Sequence, residues 1–334
     1  MEKQAIQNRY DFIILYDVVN GNPNGDPDAG NMPRTDAQTD HGIVSPPCLK
    51  RKIRNYVDMI SPYFPEYANI FGKVLDPDLF RIYIRDKVVL NQVHGAMFDE
   101  VVEELKLSSE KKQDEYILKT QQAMCKHYYD VRTFGAVMST SDDETNTEGV
   151  DEETSKKKKS GTKGKGKTDK QAGQVRGPVQ LTFSKSIDPV SIEYRSVARI
   201  AVTNSKDQAK ESTFGSLYEI PYALYKGYGF VSAMLAEKTG FDEADLKLLW
   251  HALLNMFEHD RAAARGLMSM RKIIVFKHNT RFGNAPAHSL FDRVKIKLKD
   301  SVEYPRSFED YEISIDEENL PQGVEIIDPQ NLFQ

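Results

Sequence analysis

The chain has 334 residues, enough for two domains or one domain with large insertions; its two cysteines, Cys48 and Cys125, form no CxxC pair, so neither a zinc site nor a disulfide framework is indicated. No apolar run approaches the ~20 residues that cross a bilayer, and no signal-like segment precedes the first strand, so a soluble, cytoplasmic protein without a membrane partner or bound cofactor is expected. The formal charge of −5 speaks against a nucleic-acid partner only on average, because residues 300–334 hold ten acidic side chains and one Arg, a net of −9, which leaves +4 on residues 1–299.

"YDFIILYDVV" is apolar on both faces and reads as a central, buried strand. "NGNPNGDPDAG" follows at residues 20–30, and its turn chemistry requires a tight excursion of the backbone. "SPPCLKRKIRNYVDMI" starts with a Ser cap and prolines at the first helical positions, and Leu49, Ile53, Tyr56 or Val57, and Ile60 mark an apolar stripe. In "LFRIYIRD", Ile82 and Ile84 alternate with Arg81, Tyr83 and Arg85, a pattern that predicts a half-buried strand with the basic and aromatic groups outward. Residues 110–130 read as a helix with Ile117, Met124 and Tyr128 in a loose stripe, and "VRTFGAVMS" exits through Phe134 and Gly135.

Residues 141–170 combine an acidic run with eight lysines and lack apolar periodicity, so nothing there offsets the entropy of ordering, and a disordered insertion is expected. Short strands follow in "GPVQLTFSKSIDPVSIEYRSVARIAVTN", then a polar loop, "SKDQAKESTFGSLYE", and then a strand or aromatic turn entering a helix that stops at Gly240. "FDEADLKLLWHALLNMFEHD" carries Asp242 as cap and Asp245 in the first turn, with Leu246, Leu249, Trp250, Leu253 and Phe257 on the buried face. "SMRKIIVFKHNT" reads as a core strand, and "DRVKIKLKD" as a strand with one apolar and one basic face. This order predicts an α+β core with a mostly antiparallel sheet and helices to one side.

Familiar catalytic patterns are weak. Asn22, Asn24, Asp26 and Asp28 recur at alternate positions, but Pro27 and Pro33 stand where a calcium loop needs Gly and Glu. GxxxxGK[ST], GxGxxG and HExxH are all missing. His251 and His259 lie two turns apart on one helix, where packing or solvation explains them more economically than catalysis. The basic residues are better placed. Lys50 and Arg54 share an i,i+4 face with Arg51 and Lys52 beside it. Arg132, Phe134, Arg176, Arg195, Arg199 and Lys206 form a second group, in which cations could fix a backbone and Phe134 or Tyr194 support bases. Lys156, Lys157, Lys158 and Lys159 could add contacts from the insertion.

"NRYDFIILYDVVNGNPNGDPDAGNMPRTD" followed by "HGIVSPPCLKRKIRNYV" closely resembles the start of the Cas-seven family, the repeated backbone subunit of type I CRISPR effector complexes (Cascade), and particularly its subtype I-C branch. "SIEYRSVARIAVTN" and "GSLYEIPYALYKGYGFVSA" resemble later family landmarks, so the likeness runs from about residue 8 to 299 without the insertion. The resemblance implies a hand-shaped protein on a modified RNA-recognition, ferredoxin-like palm, with inserted finger and web regions and a projecting thumb. It divides the chain into a discontinuous palm at 1–300, a helical finger region at about 61–138 and a thumb at about 201–219, while the insertion at 141–170 and the acidic segment at 301–334 depart from the family's pattern. It further implies a non-catalytic protein that polymerises in several copies along a CRISPR guide RNA, whose bases then pair with target DNA. Its implied partners are Cas-five, Cas-eight and small Cas-eleven-type subunits. An RNA-independent scaffold and a metal-dependent RNase using Asp26, Asp28 or Asp36 are the alternatives. Under the resemblance, Asn22, Asn24, Lys50, Arg51 and Arg54 are guide contacts.

Overall fold

The computed structural model describes residues 4–105, 112–138, 172–199 and 213–333. β1 (Tyr10–Gly21) is buried along almost its whole length, and the period-two pleat divides its side chains. Phe12, Ile14, Tyr16 and Val18 enter one core while Ile13 and Leu15 enter another. Next come the short β2 (Gly25–Asp26), β3 (Met32–Pro33) and β4 (His41–Val44), then α1 (Pro46–Ile60). A helical layer follows with α2 (Ala68–Phe71), α3 (Leu90–Leu105), α4 (Lys112–His127) and α5 (Tyr129–Phe134). β5 (Gly135–Met138) pairs with β6 (Gly173–Arg176) as a separate two-stranded unit.

The chain returns through β7 (Val179–Leu181), β8 (Ser184–Pro189) and β9 (Glu193–Arg199) to β10 (Thr213–Val231). α6 (Ala233–Thr239) ends at Gly240, whose φ of 77° suits glycine, and α7 (Glu243–Asn255) begins at once. Asp242 accepts from the amides of Ala244 (2.9 Å) and Asp245 (3.0 Å), while Asp245 accepts from the Asp242 amide, so a reciprocal box starts α7. β11 (Leu267–His278), α8 (Ala287–Phe291), β12 (Val294–Leu298), β13 (Tyr311–Ile315) and β14 (Val324–Ile327) complete the described chain.

The principal sheet runs β14-β11-β1-β10-β8-β4, with β7 and β9 also paired to β10, and its strand pairs among the described residues are antiparallel. One face is covered by α1 and α7, where Trp250 meets Phe12 edge-on at 5.0 Å. Gly229 stands opposite Phe12 across β10, and a Cβ there would collide with the Phe12 ring. The other face is covered by α8 and the β12–β13 ribbon. Helices therefore dominate one side, as the pattern predicts, but the second face is not left open. Residues 301–334 supply β13 and an edge strand of the main sheet, so the acidic segment is built into the fold.

"LFRIYIRD" departs from the predicted strand. Ile82 and Tyr83 are buried and Ile84 is 39% exposed, because the Asp130 carboxylate accepts from the amides of Tyr83 (2.8 Å) and Ile84 (3.1 Å) and stands in for a strand partner. α3 carries no mark in the sequence reading. The insertion at 141–170 and most of the region assigned to a thumb lie outside the described residues, and residues 213–219 form the start of β10, paired with β9.

Candidate nucleic-acid interface

The Asn- and Gly-rich loop packs against the segment that leads into β11. The Asn22 amide donates to the Ala264 carbonyl at 2.8 Å. A Cβ on Gly21 would collide with the Arg265 carbonyl, and one on Gly266 with the Asn20 carbonyl. The glycines thus permit two backbones to cross in contact. Asn22 Nδ2 donates to the Asn31 carbonyl (2.7 Å), and Asn24 Oδ1 accepts from the Ser45 amide (2.8 Å) at the cap of α1. Both asparagines therefore fasten the loop. Asn22 Oδ1 is buried without a partner among the described residues.

Beside this crossing lies a polar cleft of about 380 Å³, bounded by Asn22, Arg51, Lys52, Asn55, Asp260 and Arg265. Asp260 sits between Lys52, with which it forms an ion pair, and Arg265, 2.6 Å away. Arg51 is mostly exposed and pairs with exposed Asp86 at 2.8 Å, an arrangement that water and salt weaken. Asn55 and Arg265 escaped the sequence reading. Their side chains reach the cleft from a helix turn and a distant loop, and only the helical spacing of Asn55 from Arg51 offered a signal.

The basic face of α1 divides. Lys50 lies half-buried with its ammonium 5.2 Å from the Phe134 ring centre and 3.5 Å from Gln180 Oε1, and burial followed by the nearby Arg54 charge pulls its pKa down. Arg54 is buried: its Nε donates to Asp130 at 2.8 Å and its guanidinium lies 5.3 Å from the same ring. The expected Lys50/Arg54 phosphate face thus has one half-open member and one closed one.

The second group disperses. Arg132 is 1% exposed and donates to Asp245 at 2.7 and 2.9 Å and to the Leu79 carbonyl at 2.6 Å, so its guanidinium is committed to holding the fold. Phe134 is 6% exposed beneath its two cations, so the base-stacking role considered for it gives way to packing. Tyr194 is 61% exposed on the β9–β10 hairpin, next to Tyr218 at 5.5 Å. Arg195 pairs there with Glu219 and, at 2.8 Å, with Glu193. Arg176 is exposed but opens on a groove between α4 and α6. Arg199 closes β9, while Lys206 and Lys156 to Lys159 lie outside the described residues.

Three of the groups weighed for catalysis are engaged elsewhere. Asp36 accepts from Gln38, Thr39 and Lys185, which holds its pKa at about 2. Asp26 pairs with Arg34 at 3.3 Å. His251 lies buried 3.1 Å from the Tyr56 hydroxyl, and burial lowers its pKa to about 4. Among the described residues, no cluster of three or more His, Cys, Asp or Glu is placed to hold a metal, and no helix is long and apolar enough to cross a membrane.

Comparison with known proteins gives the family. CRISPR-associated protein Cas7 of Haloferax volcanii is 26% identical over 254 residues; the match covers 74% of this chain and 65% of that protein, just under two thirds. A solved structure described as a CRISPR RNA-guided surveillance complex, pre-nicking, has a TM-score of 0.43 at 12% identity, covering 80% of this chain and 78% of that one. A second, described as a CRISPR RNA-guided surveillance complex, has a TM-score of 0.37 at 11% identity, covering 80% and 68%. Both scores are low, and the identification rests on the family model for CRISPR-associated protein Cas7, which matches residues 8–316. That match runs from before β1 to the end of β13, and the chain belongs to the Cas7 family.

Proposed function

We infer that this protein is a non-catalytic, guide-RNA-binding backbone subunit of a type I-C CRISPR surveillance complex, several copies of which line one RNA and present its spacer for pairing with target DNA. Cas7-family backbone subunits are typically non-catalytic. The observation that carries the reading is the cleft where Arg51 and Asn55 of α1, the Asn22 loop and Arg265 converge. Its cations suit phosphates without reading sequence, which leaves base pairing to read the target. The unpartnered Asn22 Oδ1 suits a donor such as a ribose 2′-hydroxyl.

In this reading Lys50, Arg51 and Arg265 hold the backbone, and Asn22 and Asn24 shape the cleft edge. Arg54 and Phe134 set the position of α1 from beneath, and Arg132 ties α5 to α7. Tyr194 and Arg195 form a second approach on the β9–β10 hairpin, and Arg199, Lys206 and Lys156 to Lys159 could add further contacts. The strand order β11-β1-β10-β8, with α1 and α7 on one face, supports an RNA-recognition-like palm. Cas-five, Cas-eight and Cas-eleven-type subunits are its proposed partners.

Native mass spectrometry with one full-length guide RNA tests this. Several copies on one RNA are expected, and a monomer indifferent to RNA would overturn the reading.

A further inference from the structure

A groove runs between α4 and α6, with β6 beside it. Leu118, Gln122 and Cys125 line it from one face of α4, and Leu235, Lys238 and Thr239 from one face of α6. Two hollows of about 340 and 270 Å³ share Gln122, Cys125, Lys238 and Thr239, so they adjoin along the same pair of helices. Leu118 is 51% exposed at one end. Lys126 and Lys238 are exposed along the other, with no ion pair to them among the described residues. Thr239 Oγ1 is buried without a partner among those residues.

This mixture disfavours a polynucleotide. Phosphates and sugars would lie against leucines and leave that apolar surface uncovered. An acidic segment with an exposed aromatic ring fits better: carboxylates meet the lysines, the ring meets the leucines, and main-chain groups meet Gln122 and Thr239.

The chain carries such a segment on its opposite side. Tyr304 is 69% exposed next to exposed Glu303, and residues 303–318 contain seven acidic side chains and one Arg, Arg306. α6 packs on the sheet face that holds α1 and α7, whereas the β12–β13 ribbon flanking Tyr304 covers the other face. A contact between two different patches repeats head to tail instead of closing as a two-fold pair. We propose that the α4–α6 groove receives the Glu303–Tyr304 knob of a second copy of this chain. The proposal rests on the multi-copy reading above and names the surface that would propagate it.

Sedimentation velocity of the RNA-free chain tests the contact directly. The wild type is expected to grow in sedimentation coefficient with concentration, and K126E/K238E and E303K/E309K each to weaken self-association by at least ~10-fold. An equal mixture of the two variants restores like-for-unlike contacts at both patches and is expected to recover growth. A wild type that stays monomeric, variants that associate normally, or a mixture that does not recover would each overturn the proposal. So would a groove variant that loses affinity for a short RNA while the knob variant keeps it, since the groove would then be a polynucleotide track. If self-association responds to both patches but no copies gather on guide RNA, the contact stands and the guide-binding reading fails.

Discussion

The seam between α5 and α7 and the outer turn of α1 use the same residue type for opposite ends. At the seam, Arg132 and Asp245 are shut away from water and joined at 2.7 Å. On α1, Arg51 pairs with Asp86 at 2.8 Å, yet both side chains are well over half exposed. The distances are nearly equal, but the consequences are not. A buried pair cannot lose one partner without stranding the other charge, whereas an exposed pair can open to water or to a phosphate at little cost. Burial therefore separates an arginine that holds the fold from one that is available for binding.

The sharpest way to break this comparison is R132A, which strands Asp245 in the core. It should destabilise the protein by ~3–5 kcal/mol in urea unfolding, and R132M/D245N, which removes both charges and keeps an acceptor at the α7 cap, should recover much of that loss. Equal losses in the two variants would mean that the pair's charge is not what matters.

His251 gives the next largest effect. Burial lowers its pKa from 6.5 to about 4, so the folded state holds the ring neutral while the unfolded state protonates it sooner. The stabilisation is fully present above pH 6.5, is lost as pH falls toward 4, and amounts to at most ~3 kcal/mol. H251L should flatten that part of the stability profile, and an unchanged slope would assign it to other groups. A smaller effect separates two glycines of one loop. G21A drives a Cβ into the Arg265 carbonyl and should cost ~1–3 kcal/mol. G30A meets open space and only a left-handed backbone, φ 60°, and should cost ~1 kcal/mol. Thermal unfolding of the pair reads the difference.

Much of the scaffold was legible where local signals agreed. β1 announced itself by apolar residues on both faces, and α7 by its Asp242 cap and by Leu246, Leu249, Trp250, Leu253 and Phe257, all of which are buried. The site was less legible, because charge spacing on a helix does not reveal which cations will meet a carboxylate. The partner of Arg54 lies 76 positions away and that of Arg132 lies 113 away. The same long-range capture misled the reading of "LFRIYIRD", where Asp130 replaced the expected ladder. The NGNPNGDPDAG loop did show that the backbone turns tightly, but not that Gly21 and Gly266 let it cross another segment.

The mildest change tests the exposed end of the comparison. K50A/R51A removes a half-buried cation whose ring and amide contacts are weak and an exposed one whose pair is worth ~0–1 kcal/mol, so unfolding should shift by no more than ~1 kcal/mol. Guide-RNA affinity should nevertheless fall about tenfold, and the slope of log affinity against log salt should shrink by ~1–2, because up to two phosphate contacts disappear. R54A supplies the contrast: it leaves Asp130 buried without its cation, so any affinity loss should accompany a loss of stability of ~3 kcal/mol. If K50A/R51A keeps both its affinity and its salt slope, the outer turn of α1 does not carry RNA and the exposed pairs there are ordinary surface chemistry. If R54A weakens binding with stability intact, Asp130 must release it when RNA arrives, and burial in the free protein would not be enough to sort these arginines into two classes.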